Sequence, residues 1–405
     1  AGIDADFLGT WISPGEYSAG WRSGRALEGT PPRMSYHVQY EARMSLTGAN
    51  ADRRVLLAPG SEALLAEHLT NAVAARAGTP APFRTPASCP VDAGELKDLA
   101  GRLWAARGRS LVVCGTNDLA AQLAVNQVNH LLGSYHRTLD LQKPSFQRRG
   151  DDSTLRKLLD EISSGKVGAL FIHGCNPAAE LPAADASWQK ALGRVGLVVA
   201  TSSHLDETSR LAAAVAPDHH YLESWADCEP TAGVAAVVQP VLRPLGGTRS
   251  ALESFALWAG KPQNALDMVR GTWRASIHAR RPSGASFDDF WNRAVQDGFA
   301  VSAVAERAVR PFDGRAARSA SRRTAGSHGE GLALVLYPKV GMMEGRHAQN
   351  PWLQEMPDPV SKVVWDNYAS FSPETARSLG VEQGDMVRLS ADAESIELPA
   401  FLQPG

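Results

Sequence analysis

The residues of this sequence that could carry out acid–base or metal chemistry do not form a catalytic set. Asp206 and Glu207 are adjacent, so their side chains point apart on any regular element and cannot act as a carboxylate pair. Ser13 and Ser224 lack the setting of an activated nucleophile. No two histidines have the spacing of a metal site with a carboxylate, so hydrogen-bonded or surface roles are favoured for His173, His204, His219, His220 and His347.

The cysteines also argue against a metal centre carried by this chain alone. There are four, at Cys89, Cys114, Cys175 and Cys228, and none belongs to a CxxC pair. They are too few and too far apart for an iron–sulfur cluster. Cys114 and Cys175 follow apolar runs, so we expect both to be inert core thiols. The cysteine pattern is compatible with disulfides and does not identify the redox compartment of the protein.

The stretch 167–225 holds the loops with the most suggestive composition. Two continuous apolar runs, 167–172 and 195–200, flank a segment of helical composition at 187–192. Continuous apolar runs are typical of strands buried on both faces of a parallel sheet. We therefore predict a strand–helix–strand crossover whose two strands share a sheet.

Each of these two strands is followed by a loop that could approach a ligand. The first loop has the sequence GCNP at 174–177, and the second contains DET at 206–208. Ligands of doubly wound sheets bind beyond the carboxyl ends of the strands, and glycine allows close approach of the backbone. A plain strand-to-helix turn is the alternative, and the GCNP tetrapeptide alone favours that alternative.

Strands and helices alternate along the first three quarters of the chain. Strands are expected at 3–8, 36–43, 54–58 and 110–114, and helices at 63–77, 94–107, 119–132, 151–163, 250–259, 262–273 and 286–297. This pattern predicts an α/β fold with doubly wound, mostly parallel sheets. Only one glycine, Gly115, closely follows the strand at 110–114. The GxGxxG fingerprint is therefore absent, which disfavours a free-standing dehydrogenase.

From residue 331 the pattern changes to short strands. They are expected at 332–336, 362–365, 386–391 and 394–399, with a helix at 372–380 that Ser372 caps and Gly380 ends. This composition predicts a small β-barrel. We therefore expect an incomplete α/β domain over 1–107, a doubly wound α/β domain over 108–325 and an incomplete β-barrel domain over 331–405.

A basic segment closes the second of these expected domains. Its six arginines are Arg307, Arg310, Arg315, Arg318, Arg322 and Arg323. They could contact an acidic partner or a phosphate, but a solvated linker is the interpretation that the composition favours.

Composition excludes several classes of protein. The chain has 405 residues, 44% hydrophobic and 21% charged, with a net charge of −2. Nothing points to nucleic acid or to an anionic membrane surface, and no apolar run approaches the length of a membrane span. The sequence begins as if within a strand and ends before the pattern of its last segment is complete. No signal peptide is recognisable. We therefore expect a segment of a longer polypeptide.

Several motifs together resemble a known superfamily. The order strand–GxNP, strand–ET, AxxAP at 213–217 and LE at 222–223 resembles the molybdopterin oxidoreductases. The segments 5–10, 41–52 and 350–359 are similar to one branch, the B subunit of alternative complex III and its polysulfide-reductase-like relatives.

The resemblance implies a fold of the molybdopterin type that, in alternative complex III, has lost its cofactor. It implies no cofactor in this chain, and iron–sulfur clusters and haems in neighbouring parts. The partners it implies are an iron–sulfur subunit or domain, a multihaem cytochrome c and membrane subunits that bind quinol. The implied location is the periplasmic face of the bacterial inner membrane.

The alternative that the resemblance leaves open is a catalytic molybdenum pterin oxidoreductase. Its metal ligand and iron–sulfur cysteines would then lie outside this chain. Gly174, Asn176 and Thr208 would hold the nucleotide of the pterin cofactor.

One loop has the composition of a protein–protein contact. Residues 350–359 contain three prolines, so the loop cannot enter a sheet, yet it carries Trp352, Leu353 and Met356. Exposed apolar side chains of this size usually pack against a partner, and tryptophan is enriched at binding hot spots. We expect these three residues to contact another subunit.

Overall fold

The computed structural model of the chain forms two compact units. One contains residues 1–141 and 309–405, and the other contains residues 142–308. The structure describes residues 1–29, 31–181, 187–281, 284, 286–304, 312–315, 331–343, 345–391 and 394–403. Five of the six arginines of the basic segment therefore lie outside the described residues, and only Arg315 lies within them.

The first unit begins with a parallel four-stranded sheet. Its strands are β1 (Gly2–Ile3), β2 (Val38–Glu41), β3 (Arg53–Leu56) and β4 (Val113–Cys114), in the order β3-β2-β1-β4. The helices are α1 (Pro14–Ser23), α2 (Leu46–Ala49), α3 (Glu62–Arg76), α4 (Ala93–Ala105) and α5 (Leu119–Leu131). Apolar side chains of α3, α4 and α5 join those of the strands in one core, which includes Ile3, Leu65, Leu69, Val112 and Val128.

The second unit holds two small sheets. Its elements are α6 (Asp152–Ser163), β5 (Ala169–Ile172), α7 (Pro177–Glu180), α8 (Ser187–Leu192), β6 (Leu197–Ala200), β7 (Ala214–Val215), β8 (Ala226–Thr231), β9 (Val234–Val238), α9 (Ala251–Trp258), α10 (Ala265–Thr272), α11 (Phe287–Asp297) and β10 (Phe299–Val301). Strands β5, β6 and β7 are parallel, and β8, β9 and β10 are antiparallel. One core surrounds Trp273, and the other contains Ile172, Trp188 and Val198.

The C-terminal part of the first unit is a three-stranded sheet with two short helices. Its elements are α12 (Pro351–Glu355), β11 (Ala369–Phe371), α13 (Pro373–Leu379), β12 (Met386–Ala391) and β13 (Glu394–Leu402). Strand β13 lies between β11, to which it is parallel, and β12, to which it is antiparallel. Among the described residues, no helix has both the length and the hydrophobicity that a membrane crossing requires.

These elements confirm the predicted α/β class with parallel sheets. The strand–helix–strand crossover is also confirmed, because β5 pairs with β6 in parallel register from Ala169 opposite Leu197. The predicted burial of both strand faces is wrong for β5. It lies at the edge of its sheet and leaves Phe171 43% exposed.

The predicted boundary at residue 107 differs from the observed one near residue 141. Strand β4 pairs in parallel with β1, and α5 packs in the same core as α3. The segment 108–141 therefore supplies the strand β4 of the first sheet and the helix α5 of its core. The C-terminal segment also groups with this first unit.

Several predicted strands are absent or shortened, two of them because the backbone turns. Asp4 has φ +48, so β1 ends at Ile3 instead of continuing to residue 8. Lys362 and Trp365 have φ +63 and +59, which no strand accepts, so 362–365 is irregular. Residues 332–336 form no strand either, since no strand among the residues that the structure describes pairs with them.

Local capping predictions have mixed outcomes. The Ser372 side chain accepts a hydrogen bond from the Thr375 backbone N–H, and Gly380 ends α13 in the left-handed conformation, as predicted. Ser61 precedes α3 as predicted, but its side chain forms no capping hydrogen bond. Cys114 is buried, whereas Cys175 is exposed because it lies in the loop beyond the end of β5.

A buried carboxylate organises the loops that follow β1 and β2. Glu41 accepts hydrogen bonds from Ser45 N–H (3.0 Å), Ser45 Oγ (2.6 Å), Gln39 Nε2 (3.2 Å) and Arg54 Nε (2.6 Å). A Cβ atom on Gly48 would lie 1.9 Å from Glu41 Oε1. Only glycine at position 48 therefore leaves room for this carboxylate.

Gly48→Ala should consequently destabilise the protein. The methyl group displaces Glu41 from its donors and leaves a buried charge with fewer partners, at a cost of roughly 2–4 kcal/mol in the free energy of unfolding. Urea denaturation measures this cost. The control is Gly20→Ala in α1, where a Cβ meets no atom within 4 Å. That change should be neutral or stabilise by about 0.5 kcal/mol, and equal effects of the two variants would contradict the argument.

Candidate functional site

The structure brings together two of the three residues predicted to hold a nucleotide. Asn176 follows β5 and Thr208 follows β6, and parallel pairing places the carboxyl ends of these strands side by side. Asn176 Oδ1 accepts hydrogen bonds from Thr208 Oγ1 (2.7 Å) and from the Thr208 backbone N–H (3.2 Å). The two predicted loops are therefore in direct contact with each other.

The remaining polar atoms of this contact also have protein partners. Asn176 Nδ2 donates to Glu207 Oε2 at 2.7 Å, and Thr208 Oγ1 accepts from the Ala178 backbone N–H at 3.0 Å. The Asn176 hydrogen bond holds the pKa of Glu207 below its ordinary value. We call Asn176, Glu207 and Thr208 the loop cluster.

Asp206 supports the loop cluster from the second loop. Its carboxylate accepts hydrogen bonds from Ser209 N–H (2.7 Å) and Ser202 Oγ (2.8 Å). Burial opposes ionisation of Asp206, but these hydrogen bonds outweigh it, and the pKa lies below the ordinary value. Asp206 therefore remains an ionised turn-forming residue at neutral pH.

Gly174 differs from the other two predicted residues. Its φ of +66 requires glycine, and a Cβ built on it would meet no atom within 4 Å. The space beside its α-carbon is therefore unoccupied, and the predicted nucleotide-binding role of Gly174 stays a prediction.

These observations decide how well a pterin dinucleotide fits. Each polar side-chain atom of Asn176 and Thr208 already has a protein partner, and the carboxylate of Glu207 beside Asn176 would repel the negative charge of phosphates. A nucleotide could bind only by displacing the hydrogen bonds of the loop cluster, so the residues do not fit it in this arrangement.

Two of the candidate histidines, His173 and His219, contact threonine hydroxyls. His173 Nδ1 contacts Thr201 Oγ1 at 2.7 Å, and His219 Nδ1 contacts Thr248 Oγ1 at 2.6 Å. Throughout the part of the chain that the structure describes, no group of three His, Cys, Asp or Glu side chains could hold a metal ion.

A second candidate region, which sequence analysis missed, lies at the carboxyl end of the first sheet. The strand order reverses between β1 and β4, and this is where doubly wound sheets bind ligands. Asp4 directly follows β1 and Gly115 directly follows β4. A Cβ on Gly115 would lie 1.8 Å from the Asp4 carbonyl oxygen, so the two backbones approach closely and position 115 has no room for a side chain.

The C-terminal segment covers this same end of the sheet. Asp6, Arg43, Tyr337 and Asp358 line a cavity of about 20 Å³, which has room for about one water molecule. The Arg43 guanidinium stacks 3.9 Å from the Tyr337 ring centroid. The small size of this cavity argues against a bound nucleotide at this position.

Two of the three residues predicted to contact a partner are exposed. Trp352, in α12, is 80% exposed and Met356 is 48% exposed, whereas Leu353 is half-buried. Asn350 caps α12 by accepting a hydrogen bond from the Trp352 backbone N–H. The loop is thus ordered by its own hydrogen bonds while it presents the indole to solvent.

Comparison with known proteins gives the fold but no close relative. No protein-family model matches the sequence, and no curated protein matches it. Among solved structures, acetylene hydratase from Pelobacter acetylenicus matches with a TM-score of 0.56 and 15% sequence identity. The match covers 91% of this chain and 64% of that chain, so this chain spans less than two thirds of the hydratase. The chain therefore shares its fold with that protein over most of its own length.

The environment of Asp4 predicts an unusual pH dependence of stability. Burial raises its pKa from 3.8 to about 6, against the opposing effect of Arg43. Between these pH values the native state holds a proton that the unfolded chain has released, so Asp4 lowers stability as the pH rises through this window. Asp4→Asn should raise the free energy of unfolding at pH 7 by about 1–2 kcal/mol, discounted for partial exposure, and change little below pH 4.

Asparagine is the appropriate replacement because it tolerates the left-handed backbone of residue 4. Thermal unfolding at pH 4 and pH 7 measures the difference. Asp52→Asn is the control with the opposite sign, because the Arg25 hydrogen bond lowers the pKa of Asp52. That variant should lose stability at pH 7, and an Asp4 variant that behaves like it would refute the assignment.

Proposed function

We propose that this chain is a cofactor-free scaffold part of a membrane-associated respiratory complex that oxidises quinol, of the alternative complex III type. The respiratory setting is supported by the sequence resemblance of 5–10, 41–52 and 350–359 to that family. The fold shared with acetylene hydratase agrees with a molybdopterin-type ancestry. At 15% identity that likeness concerns the fold alone.

The single observation that carries the scaffold role is the loop cluster. Asn176 is one of the residues predicted to bind a nucleotide. Both polar atoms of its side-chain amide instead form hydrogen bonds with Glu207 and Thr208. These hydrogen bonds lock the loop after β5 to the loop after β6. The polar groups that would bind a cofactor are thereby used to stiffen the carboxyl end of the sheet.

The partners of this proposal follow from the resemblance. They are an iron–sulfur subunit or domain, a multihaem cytochrome c subunit and integral membrane subunits that bind quinol. The chain would lie at the periplasmic face of the bacterial inner membrane. Its contribution would be surfaces that hold electron-carrying neighbours in place, with iron–sulfur clusters and haems confined to those neighbours.

A second candidate function is part of a catalytic molybdenum pterin oxidoreductase. The left-handed glycine at position 174 is the observation that favours it, because a residue without a side chain leaves space beside the loop. In that case Gly174, Asn176 and Thr208 would hold the nucleotide, and the metal would supply redox chemistry from outside this chain.

Metal analysis and pterin fluorescence of the intact complex separate these two functions. We expect molybdenum and tungsten far below one atom per chain, and no pterin fluorescence above background. The paired variant Asn176→Ala with Thr208→Ala serves as the control. If a pterin were bound through the loop cluster, wild type would contain it and this variant would lose it, and stoichiometric metal in wild type would overturn the scaffold proposal.

The exposed side chains of 350–359 predict a subunit contact. Replacing Trp352 and Leu353 together by alanine should weaken assembly at least about tenfold, because an interfacial tryptophan commonly contributes 2 kcal/mol or more to binding. Trp352 is exposed, so the melting temperature of the isolated chain should change little. Size-exclusion chromatography and native mass spectrometry of the complex would measure assembly.

The matched control is Leu242→Ala with Leu245→Ala, which removes two exposed leucines from the second unit. It should assemble like wild type. The contact is refuted if the Trp352 and Leu353 variant assembles normally, or if it unfolds the isolated chain.

A further inference from the structure

Three arginines form a row along the segment that begins with α10 in the second unit. The guanidinium carbons of Arg270 and Arg274 lie 5.8 and 4.3 Å from the centre of the Phe287 ring. The guanidinium carbon of Arg281 lies 4.8 Å from the centre of the Phe290 ring. Both rings belong to α11, so the three guanidinium groups lie side by side along that helix. We call Arg270, Arg274 and Arg281 the basic row.

The row stands on a rigid base. Trp273–Ile277 forms a π-helical turn, and π turns within helices are frequent at functional sites. Trp273 is fully buried, and its indole N–H donates to Asp227 Oδ2 at 2.9 Å. His278 contacts the same two rings as the arginines, at 5.7 and 5.2 Å, and lies between Arg274 and Arg281 in the sequence. The backbone that carries the row is therefore fixed to the core of the second unit.

The chemistry of the row is that of an anion-binding surface. Arg274 and Arg281 are exposed to solvent. A ring contact occupies the flat face of a guanidinium group and leaves the N–H groups at its edge able to donate hydrogen bonds. The ring also restricts the orientation of the guanidinium group, so less side-chain entropy is lost when an acceptor binds. Oriented donors with a positive charge are therefore present at the surface.

We infer that the basic row binds an acidic segment of a partner polypeptide, whose carboxylates accept hydrogen bonds from Arg274 and Arg281. Charge complementarity supports this occupant, because the planar guanidinium group matches the two oxygens of a carboxylate. Arg270 already forms such a contact within the chain, where its Nη2 donates to Asp288 Oδ1 at 2.8 Å. The acidic character of the occupant does not depend on the proposed function, which concerns only the complex to which the partner belongs.

An anionic membrane surface fits the row poorly. Asp267, Asp288 and Asp289 are exposed on the same two helices. They lie in the first turns of α10 and α11, where the helix dipole stabilises carboxylates. A flat layer of anionic headgroups would meet these carboxylates together with the arginines. A narrow polypeptide segment can instead follow the row.

A second copy of this chain is also disfavoured. Two-fold pairing brings the same surface patch of both copies together, so a pair centred on the row would place arginines against arginines. The acidic residues beside the row already have local partners. Asp267 Oδ2 accepts from Asn264 Nδ2 at 2.7 Å, and Asp289 Oδ2 accepts from Ser286 Oγ at 2.7 Å. Pairing of these carboxylates with another copy would compete with hydrogen bonds at two helix starts.

Binding of fluorescently labelled poly-L-glutamate to the full chain tests the inference. Anisotropy at low ionic strength should show binding to wild type. The paired variant Arg274→Gln with Arg281→Gln should bind at least about tenfold more weakly, because hydrogen bonds to charged groups are the strong ones. The matched control is Arg243→Gln with Arg249→Gln, at two exposed arginines of the same unit, and it should bind like wild type.

A lysine pair separates geometry from charge and guards against unfolding. Arg274→Lys with Arg281→Lys keeps both charges but loses the planar edges, so its affinity should lie between those of wild type and the glutamine pair. Thermal unfolding checks that both pairs keep the fold, and if the glutamine pair unfolds, the lysine pair decides. Affinity of the lysine pair equal to that of wild type would overturn the role of the guanidinium edges.

Three further outcomes would overturn the inference. One is equal affinity of wild type and the folded glutamine pair for poly-L-glutamate. Another is binding to vesicles of phosphatidylcholine and phosphatidylglycerol that the glutamine pair loses, which would make a lipid surface the occupant. The third is self-association of wild type in analytical ultracentrifugation that the glutamine pair loses. Stoichiometric molybdenum in the intact complex would overturn the proposed function and leave the basic row unaffected.

Discussion

The buried carboxylate of Glu41 is the constraint on which the first unit depends. A charge taken out of water is tolerated only when it is paired and hydrogen-bonded. Ser45, Gln39 and Arg54 meet that demand, and Gly48 leaves the space for it. Through these contacts Glu41 joins β2, β3 and α2. The space that the Glu41 carboxylate needs explains why small residues follow β2. Its hydrogen bonds also hold together the carboxyl end of the sheet, which the C-terminal segment covers.

The parts of the fold that depend on nearby residues could be predicted from the sequence. Continuous apolar runs identified β5 and β6, and Ser372 and Gly380 marked the ends of α13 because capping involves neighbouring residues. Elements that depend on distant partners could not be predicted. The pairing of β4 with β1 joins residues about 110 positions apart, so composition gave no indication that the first unit continues to residue 141. The segment 332–336 has the composition of a strand, but a strand also needs a neighbour.

The candidate site, like the fold, could be predicted from the sequence only in part. Parallel pairing of β5 and β6 made the proximity of Asn176 and Thr208 predictable, because loops at adjacent carboxyl ends must meet. Whether their polar atoms face a ligand or each other depends on side-chain geometry that no spacing records. Asp4 was missed for a related reason. Its place within an apparently continuous strand hid the left-handed turn that puts it at the point where the strand order reverses.

The side chains of Asn176 and Thr208, which the sequence predicted to contact a ligand, are engaged within the protein. Asn176 and Thr208 are hydrogen-bonded to each other, and the backbones of Asp4 and Gly115 approach closely at the end of the first sheet. Free energy for binding is instead available at the surface, where Trp352 and the leucines of 332–336 face solvent. Both belong to the C-terminal segment, which the stacking of Tyr337 on Arg43 attaches to the first unit. The proposed scaffold role draws on two separate features, the hydrogen bonds within the loop cluster and the exposed apolar side chains of the C-terminal segment.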